Sequence, residues 1–186
     1  EPTVQESVLS GSHITLFSGD KLIGGPQSGI IIGEKDLINK TIRHPLARSF
    51  RLDKFNLAGL HRTLEHYIRD EVDKKVPVWQ MIKMKKNSIK TKAEKLQKEL
   101  KFKSTIEKSV SQIGGGSLPG QELETYVLGI DEKHMPLGQE EFRKILREST
   151  PSIIGRSENS KLLFDLRTIH SNQIKTLANI INNINA

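Results

Sequence analysis

The chain has 186 residues, with 29 Lys and Arg against 22 Asp and Glu for a formal charge of +7, and it is 35% apolar and 27% charged. That is room for one medium domain or two small ones and enough apolar content to bury a core, so a large multidomain machine and a disordered chain are both excluded. No apolar run nears the roughly 18 residues that cross a bilayer, and the absence of cysteine removes disulfides, thiolate metal sites and thiol nucleophiles, leaving Lys, His, Ser and the carboxylates for chemistry.

The chain opens Glu1-Pro2-Thr3-Val4, without Met and without the segments of a signal peptide, and is read as a fragment or a processed product. His13-Ile14-Thr15-Leu16-Phe17 predicts a strand, followed by a polar turn at Ser18-Gly19-Asp20-Lys21. After the breaker Gly24-Gly25-Pro26, the continuous apolar run of Gly29-Ile30-Ile31-Ile32-Gly33 predicts a second strand covered on both faces. Two strands cannot cover themselves, so they are expected to edge a larger sheet completed upstream or by a partner chain. A helix over 34–43, a loop around His44-Pro45 and a long helix come next. In the long helix Leu57, Leu60, Leu64, Tyr67 and Ile68 are expected to share a face and to bridge two lobes.

Residues 74–108 hold 12 Lys against Glu94, Glu99 and Glu107, while the remainder of the chain is slightly acidic. Within them Ile89, Ala93, Leu96 and Leu100 mark one face of an amphipathic helix. Its lysine face is read first as solvated and second as a surface for the phosphates of a nucleic acid, since no aromatic or Arg residues interleave with it to read bases. Beyond residue 108 short strands alternate with helices: Gly-rich punctuation at 114–116, a strand over 124–130, a helix over 139–148, strands near 151–156 and 161–168, and a last helix in which Ile174, Leu177, Ile181 and Ile184 recur. This predicts a compact α/β lobe.

The residues with most chemical content run from Ser18 to Gln27. A lysine just past a buried strand, beside glycines that admit close backbone approach, is open to desolvation; its free amine is then available as a nucleophile toward a carbonyl. Ser18, three residues earlier, places a hydroxyl where a phosphate could be accepted. The plainer alternative is a turn with a solvated lysine. No Gly-Lys-Ser/Thr ending makes it a phosphate-binding P-loop. His61 and His66 are five apart and so on different helix faces, which predicts no metal site, and Ser157 and Asp165 have neither a nearby His nor a Gly-x-Ser-x-Gly elbow to make a hydrolase triad.

The run Phe17-Ser18-Gly19-Asp20-Lys21-Leu22-Ile23-Gly24-Gly25-Pro26-Gln27-Ser28-Gly29, with His44-Pro45-Leu46, Arg48 and Arg51, resembles the bacterial selenocysteine synthase family, the L-seryl-tRNA(Sec) selenium transferases. In the same order, Ser111-Gln112-Ile113-Gly114, Gly116-Ser117-Leu118-Pro119, Ile153-Ile154-Gly155-Arg156 and Leu163-Phe164-Asp165-Leu166-Arg167 resemble that family's C-terminal lobe, so the likeness spans essentially the whole chain.

The resemblance implies an α/β fold, the C-terminal portion of a fold-type I pyridoxal-phosphate-dependent transferase. Residues 1–72 would be the end of the large cofactor domain with an interdomain helix, and 73–186 a small C-terminal α/β domain opened by the Lys-rich helix. It makes Lys21 the catalytic Schiff-base lysine for pyridoxal 5'-phosphate and Ser18 a phosphate contact. It lets the Gly24-Gly25 backbone and Gln27 approach the cofactor or a neighbouring subunit, and lets Asp20 orient Lys21 or bind solvent. Arg48 and Arg51, one turn apart, match an anion site for the selenium donor, and Arg156 an arginine facing the active site. The implied activity converts L-seryl-tRNA(Sec) to selenocysteinyl-tRNA(Sec) with selenophosphate through an aminoacrylyl group, in the cytoplasm, by a homo-oligomer of dimers in a larger ring, with selenocysteine tRNA as partner and no membrane. This chain lacks the upstream half of the cofactor domain and the tRNA-binding region, so alone it is expected to be inactive. The alternatives are a pyridoxal-phosphate homologue acting on a small amino acid, and a non-enzymatic remnant that binds RNA or a partner.

Overall fold

The first helix owes its start to Thr3. Its side chain accepts from the Glu6 N–H at 3.2 Å and the Glu6 carboxylate accepts from the Thr3 N–H at 2.7 Å, a reciprocal cap that begins α1 (Val4–Leu9). The Thr-x-x-Glu signal was present in the sequence, but that helix was not among the expected elements. A computed structural model of the chain describes residues 2–114 and 120–184; the Gly-rich punctuation at 115–116 and Ser117-Leu118-Pro119 lie outside the described residues. The described chain separates into two units, one within Glu1–Lys83 and one within Met84–Ile113 and Gly120–Ala186. Residues 73–83 thus lie with the first unit, where the sequence set them with the second domain.

In the first unit β1 (Ile14–Ser18) pairs antiparallel with β2 (Gly29–Gly33), Leu16 opposite Ile31 and Phe17 opposite Ile30. The alternation of a pleated strand puts Phe17, Ile30 and Ile32 on a half-buried face and Leu16 and Ile31 on the other, 67% and 41% exposed. The apolar run of β2 is therefore covered on one face within this chain, not on both. There follow α2 (Lys35–Arg43), a 3₁₀ turn (Pro45–Arg48), α3 (Lys54–Ile68), α4 (Val72–Lys75) and α5 (Pro77–Ile82). Asp53 starts α3 by accepting from the N–H groups of Phe55 and Asn56 at 2.8 and 3.0 Å. On α3 the expected single face splits, because 3.6 residues per turn separate Leu60 and Tyr67 by about 100° or less from Leu57, Leu64 and Ile68. Leu60 is buried and Tyr67 half-buried, whereas Leu57, Leu64 and Ile68 are exposed.

The second unit opens with α6 (Lys86–Glu99), whose Ile89, Ala93 and Leu96 are fully buried as their spacing predicted. Its sheet runs β3-β4-β6-β5, all antiparallel, from β3 (Thr105–Gln112), β4 (Glu122–Asp131), β5 (Arg156–Glu158) and β6 (Lys161–Asp165). With α7 (Gln139–Glu148) and α8 (Ile174–Asn182) it encloses a core that includes Leu128, Ile130, Phe142, Leu146, Leu162 and Ile181, the ring of Phe102 standing edge-on to Phe142 at 6.1 Å. β3 was not predicted: Thr-Ile-Glu-Lys-Ser-Val-Ser-Gln carries too little apolar signal for an edge strand. Residues 151–155 are not a strand, and 166–168 form a 3₁₀ turn after β6. The mixed α/β architecture is the fold class expected, and among the described residues no helix is long and apolar enough to cross a membrane.

Three of the five lysines of α6 are held by neighbours. Lys92 Nζ donates to the carbonyls of Ile169 at 2.6 Å and Leu166 at 3.4 Å, and burial holds its ammonium below the usual lysine range. Lys86 pairs with Glu124; Lys90 faces Glu94 at 3.8 Å and the Tyr126 ring at 5.7 Å.

Candidate functional site

Between β1 and β2 the chain folds onto itself. Gly19 N–H donates to the Ser28 carbonyl at 2.9 Å, Gly25 N–H to the Gly19 carbonyl at 2.8 Å and Gly24 N–H to the Lys21 carbonyl at 3.0 Å, while the Ser28 hydroxyl donates to the Pro26 carbonyl at 3.0 Å. The backbone of residues 19–28 is thus closed by its own hydrogen bonds, and glycine is required for it. Gly24 has φ of +74°, and a Cβ there would stand 2.4 Å from Val76 Cγ1; at Gly19 it would stand 2.1 Å from Ser28 Oγ. A Cβ at Gly25 would meet Thr63 Oγ1 at 3.3 Å and Leu60 at 3.5 Å.

A second set of bonds fixes the outer part of this loop. The Tyr67 hydroxyl lies 3.1 and 3.0 Å from the carbonyls of Leu22 and Ile23, to which it donates, and accepts from Trp79 Nε1 at 2.7 Å. Burial raises the Tyr67 hydroxyl above the usual phenol range, partly offset by the Trp79 bond, so it stays a proton donor to the loop. One aromatic residue from α3 and one from α5 together hold the two residues that follow Lys21. Their role was not read from the sequence, because Tyr67 had been assigned to an apolar helix face and the hydroxyl partner lies 44 residues away.

Lys21 itself sits in this fixed turn with its side chain exposed, as do Asp20 and Gln27, while Ser18 at the end of β1 is half-buried. Within this chain the Lys21 side chain stands exposed, in place of the buried setting that its strand-end position suggested. Gly24 and Gly25 use their N–H groups and bare Cα positions inside the loop, which gives them a packing role.

Arg48 ends the 3₁₀ turn that His44 caps by accepting from the Leu46 N–H at 3.3 Å, and Arg51 follows in irregular chain before α3. They are not one helical turn apart, because the helix stops at Arg48. Both are exposed and neither forms an ion pair or side-chain hydrogen bond among the described residues. Each keeps five N–H donors available. Arg156, in the second unit, is engaged instead: it donates to Ser109 Oγ at 2.7 Å and the Val110 carbonyl at 3.2 Å and faces Glu158 at 3.5 Å.

The second unit holds a polar centre that sequence reasoning missed. Arg167 is 6% exposed and donates from Nε to Ser111 Oγ at 3.0 Å, from Nη2 to the Glu124 carbonyl at 2.7 Å and from Nη1 to the Met84 carbonyl at 3.3 Å. Asp165 accepts from the Ser111 and Thr125 hydroxyls and from the Arg167 N–H. Burial lowers the Arg167 guanidinium and the Asp165 charge opposes that. The signal available was a carboxylate and a guanidinium inside the apolar run Leu162–Leu166 and just past it. A cleft of about 530 Å³ beside it is lined by Ile153, Phe164, Thr168, Leu177 and Ile180 together with Asp165, whose oxygens are already taken. The Lys21 loop and the two free arginines carry the more reactive chemistry.

Against known proteins, a family model described as SelA: L-seryl-tRNA selenium transferase matches residues 1–170. The L-seryl-tRNA(Sec) selenium transferase of Carboxydothermus hydrogenoformans is 40% identical over 179 residues, covering 94% of this chain and 38% of that protein. That of Aquifex aeolicus is 39% identical over 181 residues, covering 95% and 39%. The chain spans about two-fifths of the length of the curated relatives it matches. Among solved structures, one of D-glucosaminate-6-phosphate ammonia-lyase superposes with a TM-score of 0.61 at 21% identity, over 94% of this chain and 45% of that one, a likeness of fold.

Proposed function

The chain belongs to the L-seryl-tRNA selenium transferase family, and on that premise we propose that it forms part of a pyridoxal 5'-phosphate-dependent enzyme that replaces the seryl hydroxyl of seryl-tRNA(Sec) by selenium from selenophosphate. The observation that carries this reading is Lys21: an amine open to solvent on a backbone that its own glycines, Tyr67 and Trp79 hold fixed. The donor set suits such a cofactor. Lys21 Nζ would hold it covalently and the Ser18 hydroxyl would contact its phosphate. When bound, pyridoxal phosphate supplies an electron sink for the carbon acid of the seryl group. The work left to this chain is proton transfer and charge neutralisation. Lys21 Nζ would take the Cα proton and return a proton to the departing hydroxyl. A fixed loop favours this, since proton transfer needs the nitrogen within hydrogen-bond reach of both positions. Arg48 and Arg51, without an ion pair or side-chain hydrogen bond among the described residues, would hold the oxyanion of the donor, each able to form a bidentate fork that lysine lacks.

The test is borohydride reduction of the full-length, cofactor-loaded protein followed by peptide mapping. A pyridoxyl label on Lys21 is expected; a label on a different lysine overturns the assignment. In the same protein Arg48→Ala and Arg51→Ala should each raise the KM for the selenium donor, with Arg→Lys rescuing in part. Unchanged donor saturation in both would remove the arginines from the site.

A further inference from the structure

Of the twelve lysines in residues 74–108, Lys86 pairs with Glu124, Lys90 with Glu94, and Lys92 is held by the carbonyls of Leu166 and Ile169. Residues 40–55 are different. They hold Lys40, Arg43, Arg48, Arg51 and Lys54 against one carboxylate, Asp53, whose oxygens accept from the N–H groups of Phe55 and Asn56 and from the Asn56 amide at 2.8, 3.0 and 2.7 Å. All five cations are exposed, and none forms an ion pair among the described residues.

In the same stretch Phe50 is 82% and Phe55 91% exposed. A bare leucine on a surface needs no explanation, but two phenyl rings in water amid uncompensated cations do. Cations alone would suit any polyanion. Cations interleaved with free ring faces suit a single-stranded nucleic acid, whose phosphates meet Lys and Arg while its unpaired bases stack on the rings. A duplex keeps its bases stacked on one another and has no use for the rings.

Resting on the family reading, which supplies a tRNA substrate, we propose that residues 40–55 receive the unpaired acceptor end of that tRNA. Lys40, Arg43 and Lys54 meet its phosphates, Phe50 and Phe55 stack on its bases, and Arg48 and Arg51 stay with the selenium donor. The site differs from the lysine helix that composition first points to, and it stands in the same unit as Lys21.

The experiment titrates a short fluorescein-labelled single-stranded RNA ending in CCA into this chain, beside an RNA hairpin of equal charge. Phe50→Ala and Phe55→Ala should each weaken the single strand about tenfold, and Lys54→Gln should lower the salt dependence by about 0.7 in log–log slope. Lys95→Gln with Lys98→Gln, on α6, should change neither. Both rings are exposed, so their removal leaves the fold intact, which circular dichroism checks. The proposal is overturned if the parent chain shows no salt-sensitive binding or the hairpin binds as tightly as the single strand. It is equally overturned if the ring variants bind like the parent, or alter the sedimentation of the chain in place of its RNA affinity, the mark of a protein contact. The titration needs neither cofactor nor turnover, so failure of the family reading would register separately, in the borohydride map of Lys21.

Discussion

In the second unit α6, α7 and α8 close on a four-stranded sheet, and residues such as Ile89, Leu128, Phe142 and Ile181 lose essentially all exposure. In the first unit the described apolar residues buried to that class are Leu60 and Val76, while Leu16, Phe50, Phe55, Leu57 and Ile68 stand more than half exposed. One unit is ordered by a core. The other is ordered around a loop, through glycine close packing and the Tyr67–Trp79 hydrogen bonds. Burial is non-directional and roughly proportional to area, so it gives the second unit tolerance of many small changes. Hydrogen bonds and glycine contacts are specific to position, so the first unit should depend on a few residues near Lys21.

The largest effect should come from emptying the core. Phe142→Ala removes a fully buried ring and its edge contact with Phe102, and is expected to cost about 3–5 kcal/mol in chemical denaturation. Phe55→Ala, a change of the same size at an exposed ring, should stay within about 0.5 kcal/mol. Equal losses at the two positions would break the contrast between the units.

Arg167→Met comes next. It leaves Ser111 and two backbone carbonyls without their buried donor and Asp165 without the neighbouring positive charge, with an expected loss of about 3 kcal/mol. Double-mutant coupling with Asp165→Asn would show whether the pair acts as a unit. Independent, additive losses would mean that the network is a set of separate bonds.

For the first unit, Gly24→Ala forces a side chain into a positive-φ position and into Val76, with an expected cost of about 1–3 kcal/mol. Hydrogen exchange should accelerate at the amides of Gly19 and Gly25, whose bonds close the loop, while the amides of β4 and β6 keep their protection. Uniform loss of protection across both units would erase the difference between them.

The smallest expected effect is on pH dependence. The hydrogen bonds from Lys161 and Thr105 hold the Glu107 carboxyl below its ordinary value of 4.5. The native state then binds fewer protons than the unfolded chain as pH falls past that value, so the stabilisation is fully present above it and is lost through the acid limb. Glu107→Gln should flatten that limb slightly, and Glu107 is exposed enough that the change stays below about 1 kcal/mol. An unchanged acid limb would assign the acid sensitivity of this unit to other carboxylates.

Helical periodicity made the cores of α6 and α8 legible, because Ile89, Ala93 and Leu96, and Ile174, Leu177 and Ile181, recur at a spacing with one structural solution. It misled on α3, where two adjacent stripes of apolar residues merge into one face on paper and only packing shows that Leu60 and Tyr67 turn inward. Polar β3 escaped notice because an edge strand needs little apolar pattern, and its place is set by pairing with β4. At the candidate site, the block around Lys21 and the two arginines were singled out from sequence, since their types and order are local properties. Tyr67, Trp79 and Arg167 were not, since each acts on a residue at least 12 positions away.

By itself, then, the sequence determined the class of element at most positions, the absence of thiol chemistry and the family to which the Lys21 block belongs, all of which depend on neighbours along the chain. Tertiary structure decided which individual lysines are held. Lys86, Lys90 and Lys92 meet Glu124, Glu94 and distant carbonyls and are paired or anchored there, whereas the cations of 40–54 form no ion pair among the described residues, and charge is answered by what lies near in space, whatever its separation in the chain.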